Sequence, residues 1–175
     1  MVAPAAANAG GPRRDDPVLT VLGVRRALLN HVWVPNVRIV VEPNGNIASV
    51  GRGRLDGCDA ILGTVVPGMV NLHCHAFQRA MAGLGQKLGP GEATFWSWRK
   101  AMYDFAGRLG PEDVWAIAAF LYLELLRHGC TAVAEFHYLH NAPDGRPYDD
   151  PALLSVAIHE AAREVGIALT HLPTL

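Results

Sequence analysis

No Cys-x-x-Cys pair is present, and the three cysteines, Cys58, Cys74 and Cys130, stand far apart in the chain. That scatter argues against a disulfide framework or a structural zinc knuckle and fits a reducing cytoplasm. Neither sign of charge dominates: 15 basic residues face 16 acidic ones, so no broad field points to nucleic acid or to an anionic membrane surface. No apolar run reaches the roughly 20 residues that cross a bilayer, because Pro, Gly or charge interrupts each one. Residues 1–17 lack an apolar stretch behind a basic start; rich in Ala, Gly and Pro, they read as a flexible leader and not as a signal peptide. Repeats at a solenoid period are missing too. What is present is apolar material: 50% of the 175 residues are hydrophobic, enough to bury a core. These features predict a soluble, cytoplasmic, globular protein.

Residues 18–66 carry short β-like signals. Val37–Val41 and Ile47–Val50 flank Pro43-Asn44-Gly45-Asn46, whose Asn-Gly pair supplies a hairpin turn. From residue 67 onward strands and helices alternate. Val70–Leu72 reads as a short strand, Pro111–Gly129 as a helix, Ala132–Phe136 as a buried strand, about Asp150–Val165 as a second helix, and Ala168–Leu172 as a third strand. In the first helix Pro111 opens the first turn, Glu112 and Asp113 face the positive end of the dipole, and Val114, Ile117, Ala118, Leu121 and Leu125 form the apolar stripe. Strands joined through such helices imply a parallel sheet, in a barrel or an open α/β fold.

The sharpest motif is Val66-Pro67-Gly68-Met69-Val70-Asn71-Leu72-His73-Cys74-His75. On a strand, positions two apart share a face, so His73 and His75 project together while Cys74 turns away. Parallel α/β proteins place their ligands beyond the carboxyl ends of strands. His73 and His75 are therefore candidate ligands of one divalent metal ion.

With its Pro-Gly, apolar strand and His-x-His, the chain resembles the amidohydrolase superfamily. Three strings, His73-Cys74-His75-Ala76-Phe77-Gln78-Arg79-Ala80-Met81-Ala82-Gly83, Phe95-Trp96-Ser97-Trp98-Arg99 and Ala134-Glu135-Phe136-His137-Tyr138-Leu139-His140, are similar to the formimidoylglutamate deiminases within it. The resemblance implies an α/β fold: the N-terminal part of a metal-dependent (β/α)8 barrel, at residues 67–175, behind a small β-sandwich segment at 18–66. Cys74 stands where the family more often has Ser, and Gly110 where a capping Thr is common. The family's site also needs a His and an Asp from later strands and a Glu that handles protons. None of these is expected within the 175 residues, and a barrel of this kind takes about 250. The expectation is thus a truncated barrel with metal ligands His73 and His75 but no catalytic residue of its own.

The resemblance further implies zinc as the metal and hydrolysis of N-formimino-L-glutamate to N-formyl-L-glutamate and ammonia, a step of histidine breakdown. It marks Gln78, Arg99 and Tyr138 as substrate-binding residues and leaves a homodimer open for the complete enzyme. A dicarboxylate substrate calls for a planar bidentate donor, which suits Arg99 in its aromatic setting with Trp96 and Trp98. Gln78 is expected on the loop after the first strand. His137 and His140 are read as supporting or loop residues, His128 as a helix-end residue and His159 as a helix-surface residue, with no role given to His31 or His171. Phe95, Trp96, Trp98, Phe105 and Trp115 are read as helix packing on the barrel flank, since no basic groove accompanies them to make a base-stacking platform. Two alternatives stay open: a deaminase of nucleobases or cyclic amidines, and a non-catalytic truncated product.

Overall fold

The computed structural model describes residues 18–83 and 94–174, so the expected leader at 1–17 lies outside the described residues. The chain divides into two compact units, one ending at Pro67 and one beginning at Gly68.

The first unit is a four-stranded sheet in the order β3-β2-β1-β4. Strand β1 (Thr20–Leu29) pairs antiparallel with β2 (Val32–Val41), which pairs antiparallel with β3 (Ile47–Arg52). Strand β4 (Ala60–Val65) runs parallel to β1. The hairpin expected around Asn44-Gly45 forms between β2 and β3: Gly45 takes φ 87, and the Asn44 carboxamide oxygen accepts from the Asn46 N–H at 2.9 Å. A second hairpin, joining β1 to β2, turns on Asn30 and His31 with φ values of 47 and 65. Positive φ at both central positions matches the right-handed twist of the strands it joins. His31 is thus a turn residue. The small core holds Val24, Ala27 and Val37. Among the described residues this unit is one sheet, where a sandwich was expected, because its other face finds no second layer within it.

The second unit is a three-stranded parallel sheet, β5-β6-β7. Strand β5 (Met69–Cys74) leads into a 3-10 helix, Ala76–Met81. Helices α1 (Phe95–Ala106) and α2 (Pro111–Arg127) follow, then β6 (Cys130–His137), α3 (Leu153–Val165) and β7 (Ala168–Pro173). Thr94 caps α1 by accepting from Ser97 N–H, and the Ser97 hydroxyl accepts from Thr94 N–H. At α2 the Gly110 cap has no side chain, yet its own N–H donates to Asp113 at 2.9 Å.

Helix α3 starts three residues later than Asp150. Asp150 Oδ1 accepts from Ala152 N–H at 2.8 Å, so Asp150 and Pro151 belong to a local turn, and the helix begins at Leu153.

The main core lies between this sheet and the helices. From α2 come Val114, Ala118 and Tyr122, from α3 Leu154, Ala157, Ile158, Ala161 and Ala162, and from β6 Val133. Ile117, Leu121 and Leu125 pack against it partly buried, so the predicted stripe is the buried face, with Tyr122 added. Along β6, Val133, Glu135 and His137 are buried on the helix side while Ala132, Ala134 and Phe136 alternate with them.

Candidate functional site

The site begins where β5 ends. His73 and His75 stand two residues apart, and their rings meet edge to face with centroids 4.7 Å apart. Cys74 points the other way and is buried in the core, where desolvation beside Glu135 pushes its thiol pKa well above the ordinary range. A thiolate there is disfavoured.

His75 is oriented by the neighbouring strand. Its Nδ1 lies 2.9 Å from the Phe136 carbonyl; a carbonyl only accepts, so the ring proton sits on Nδ1 and the Nε2 lone pair is left for another partner. His73 is exposed and its backbone N–H donates to the Asn71 side-chain oxygen at 3.2 Å. Two imidazoles side by side, one with its outer nitrogen free, suit a divalent metal that accepts nitrogen donors. Among the described residues no group of three or more His, Cys, Asp or Glu side chains gathers as a metal cage. The pair would supply part of a coordination sphere.

Beside His75 lies a concave pocket lined by Gln78, Phe95, Trp98, Arg99, Met102, Tyr103 and Tyr138. All three residues expected to bind substrate thus face one space. The 3-10 helix, and not an open loop, carries Gln78 there. The outer face of that helix is tied to α2, where Arg79 and Glu124 form a two-pronged ion pair at 2.6 and 2.9 Å. Gln78 Nε2 donates to the Tyr138 hydroxyl at 2.8 Å, and the Tyr138 hydroxyl reaches the Met102 sulfur at 3.3 Å. Burial raises the Tyr138 pKa, against the opposing pull of the Gln78 hydrogen bond, so the phenol stays protonated and available as a donor.

Arg99 is exposed, with its guanidinium carbon 5.4 Å from the Tyr103 ring centroid and 5.9 Å from that of Trp96. Among the described residues it forms no salt bridge. Phe95 and Trp98 are also part of the pocket wall; Trp98 in addition packs partly buried against the core, while Trp96 is left 70% exposed. Phe105 and Trp115 do pack against the core.

Four further histidines, His137, His140, His159 and His171, form a separate group. The His137 ring centroid is 5.4 Å from that of His140 and 5.3 Å from that of His171, and His159 stacks on His171 at 4.8 Å. His159 is an exposed α3 residue, as expected for a helix surface. His128 Nδ1 contacts the Glu124 carbonyl at 2.8 Å at the end of α2, in keeping with its reading as a helix-end residue.

Sequence reasoning missed Glu135, Met102 and Tyr103. Glu135 is 1% exposed. The available signal was a carboxylate on the inward register of an otherwise apolar strand. Met102 and Tyr103 come from α1, whose placement beside β5 no local pattern announces.

The chain is similar to known proteins in sequence and fold. The amidohydrolase family model matches residues 64–171. The chain is 48% identical over 158 residues to a formimidoylglutamate deiminase from Pseudomonas aeruginosa, covering 90% of this chain and 35% of that protein. An 8-oxoguanine deaminase from the same organism is 39% identical over 111 residues, 58% of this chain and 23% of its own length. Among solved structures, an amidohydrolase from Brucella melitensis superposes with a TM-score of 0.81 at 45% identity, covering 87% of this chain and 34% of that one. Atrazine chlorohydrolase from Arthrobacter aurescens, complexed with zinc, superposes with a TM-score of 0.66 at 21% identity over 88% of this chain and 35% of that one, a likeness of fold alone. The chain spans about a third of the length of the formimidoylglutamate deiminase and of the Brucella amidohydrolase. Its α/β unit is accordingly an incomplete amidohydrolase barrel, and the chain belongs to the amidohydrolase family.

Proposed function

We propose that these residues form the opening part of a metal-dependent, cytoplasmic deaminase that hydrolyses N-formimino-L-glutamate to N-formyl-L-glutamate and ammonia, a step of histidine breakdown. One observation carries the reading: Gln78, Arg99 and Tyr138 line a single pocket that also contains His75. The similarity to a formimidoylglutamate deiminase supports the same substrate.

His73 and His75 would hold the metal, zinc by the chemistry of the donors, which supplies water activated at neutral pH when bound. The other roles belong to the chain's own side chains. Arg99, backed by Tyr103, offers two parallel N–H donors to a substrate carboxylate. Tyr138 has only the thioether of Met102 as acceptor for its proton, a weak partner that a carboxylate oxygen would outcompete. Gln78, whose amide nitrogen donates to Tyr138 and to the weak acceptor Met102 Sδ at 3.4 Å, keeps its carbonyl for the substrate. Phe95 and Trp98 make one wall of the pocket apolar. No general acid or base is assigned within these residues.

A second reading, an aminated heterocycle as substrate, draws on the aromatic wall of Phe95 and Trp98 and on the similarity to an 8-oxoguanine deaminase. Ammonia release by the protein expressed from its full coding region separates the two. Formiminoglutamate should be turned over in preference to nucleobases, and Arg99→Ala should lower kcat/KM for it at least tenfold, about 1.4 kcal/mol. An unchanged kcat/KM would remove Arg99 from the pocket, and faster turnover of a nucleobase would favour the second reading.

A further inference from the structure

Glu135 is a fully buried carboxyl group at 1% exposure that no step above uses. Burying a carboxyl group without partners is costly, and its position shows what it is partnered with. Glu135 Oε1 accepts from the backbone N–H of Ala76 at 2.7 Å, and Tyr122 on α2 donates its hydroxyl to Oε2 at 3.3 Å. The buried Cys74 side chain lies near the same group.

The place matters because the β5–β6 ladder is irregular there. Its register shifts between Asn71 and Cys74, so regular strand pairing does not hold the stretch that carries His73 and His75. The 3-10 helix that follows begins without a side-chain cap from His75, leaving the Ala76 N–H in need of an acceptor. The adjacent strand supplies it. Glu135 grips Ala76 through its side chain while Phe136, the next residue, grips the His75 ring through its carbonyl.

We propose that Glu135 is a positioning residue of the metal site: by anchoring the backbone just after His75 it keeps the two imidazoles beside each other. This rests on the reading of His73 and His75 as metal ligands. Reach is the essential property, since an acceptor at the Oε1 position satisfies Ala76 whether or not it is charged. Glu135→Gln keeps that acceptor. Glu135→Asp keeps the acid but is one methylene shorter, and Glu135→Ala removes both.

The test uses the protein expressed from its full coding region, with zinc affinity measured by chelator competition and Ala76 amide exchange followed well below the melting temperature. Glu135→Ala and Glu135→Asp should weaken zinc binding about 10- to 100-fold, the range for residues that orient metal ligands, and should speed Ala76 exchange. Glu135→Gln should stay near the parent in both. A role in stability alone would lower the melting temperature and leave the zinc affinity of the folded protein unchanged. Should Glu135→Ala fail to fold, the contrast between the Asp and Gln variants decides. Zinc affinity within twofold of the parent for Glu135→Asp overturns the proposal. A control, His75→Ala, separates the readings. If it leaves zinc binding intact, the ligand assignment and the role of Glu135 fall together. If it abolishes zinc binding and the parent does not turn over formiminoglutamate, only the substrate assignment falls.

Discussion

A buried imidazole whose outer nitrogen has no partner resists taking a proton. His137 is 3% exposed and its Nε2 has no hydrogen-bond partner among the described residues. Desolvation, followed by repulsion from His171 and His140, lowers its pKa from 6.5 to about 4. The unfolded chain therefore binds the proton more readily than the folded one. The stability due to neutral His137 is complete above about pH 6.5 and is lost as pH falls toward about 4, with a slope of at most about 1.4 kcal/mol per pH unit. Urea denaturation between pH 7 and pH 4.5 should show this decline, and His137→Leu should flatten it; equal slopes for parent and variant would exclude His137 as its source. At this scale the His73 and His75 pairing was legible because strand geometry puts alternate residues on one face. Glu135 was not, because its meaning depends on an amide 59 positions away.

Elements were legible where local chemistry marks them and blurred where side chains compete with the backbone. Helix α2 follows its Pro111, acidic first turn and apolar stripe, while α3 yields its first residues to the Asp150 turn. The hairpin at Asn30 and His31 carried a weaker signal than Asn44-Gly45, since His at positive φ is uncommon. At the start of β5, a Cβ on Gly68 would overlap the Thr131 side chain on β6. Gly68→Ala should therefore destabilise the α/β unit by about 1–3 kcal/mol through overpacking. Urea midpoints check this, and Thr131→Ala should recover part of the loss; a Gly68→Ala midpoint equal to the parent would refute the close approach.

At the scale of the whole molecule, a parallel sheet is normally covered on both faces and extended on both sides, whereas among the described residues β5 and β7 have no further strand beside them. On β5, Met69, Val70 and Leu72 are 56%, 57% and 75% exposed. Expressed alone, the 175 residues should bind the apolar dye ANS, show weak hydrogen-exchange protection in β5 and release no ammonia from formiminoglutamate. Strong protection throughout β5, β6 and β7 without dye binding would contradict this.

From residue order alone came the alternating α/β pattern, the Asn44-Gly45 hairpin and the pairing of His73 with His75, since each follows from backbone conformation over a few neighbouring residues. Folding alone decided that α1 closes one side of the pocket, that Gln78 meets Tyr138 across 60 positions, and that Glu135 lies beneath Ala76. Those contacts arise from burying a shared apolar core, and burial brings together side chains whose separation along the chain gives no hint of their distance in space.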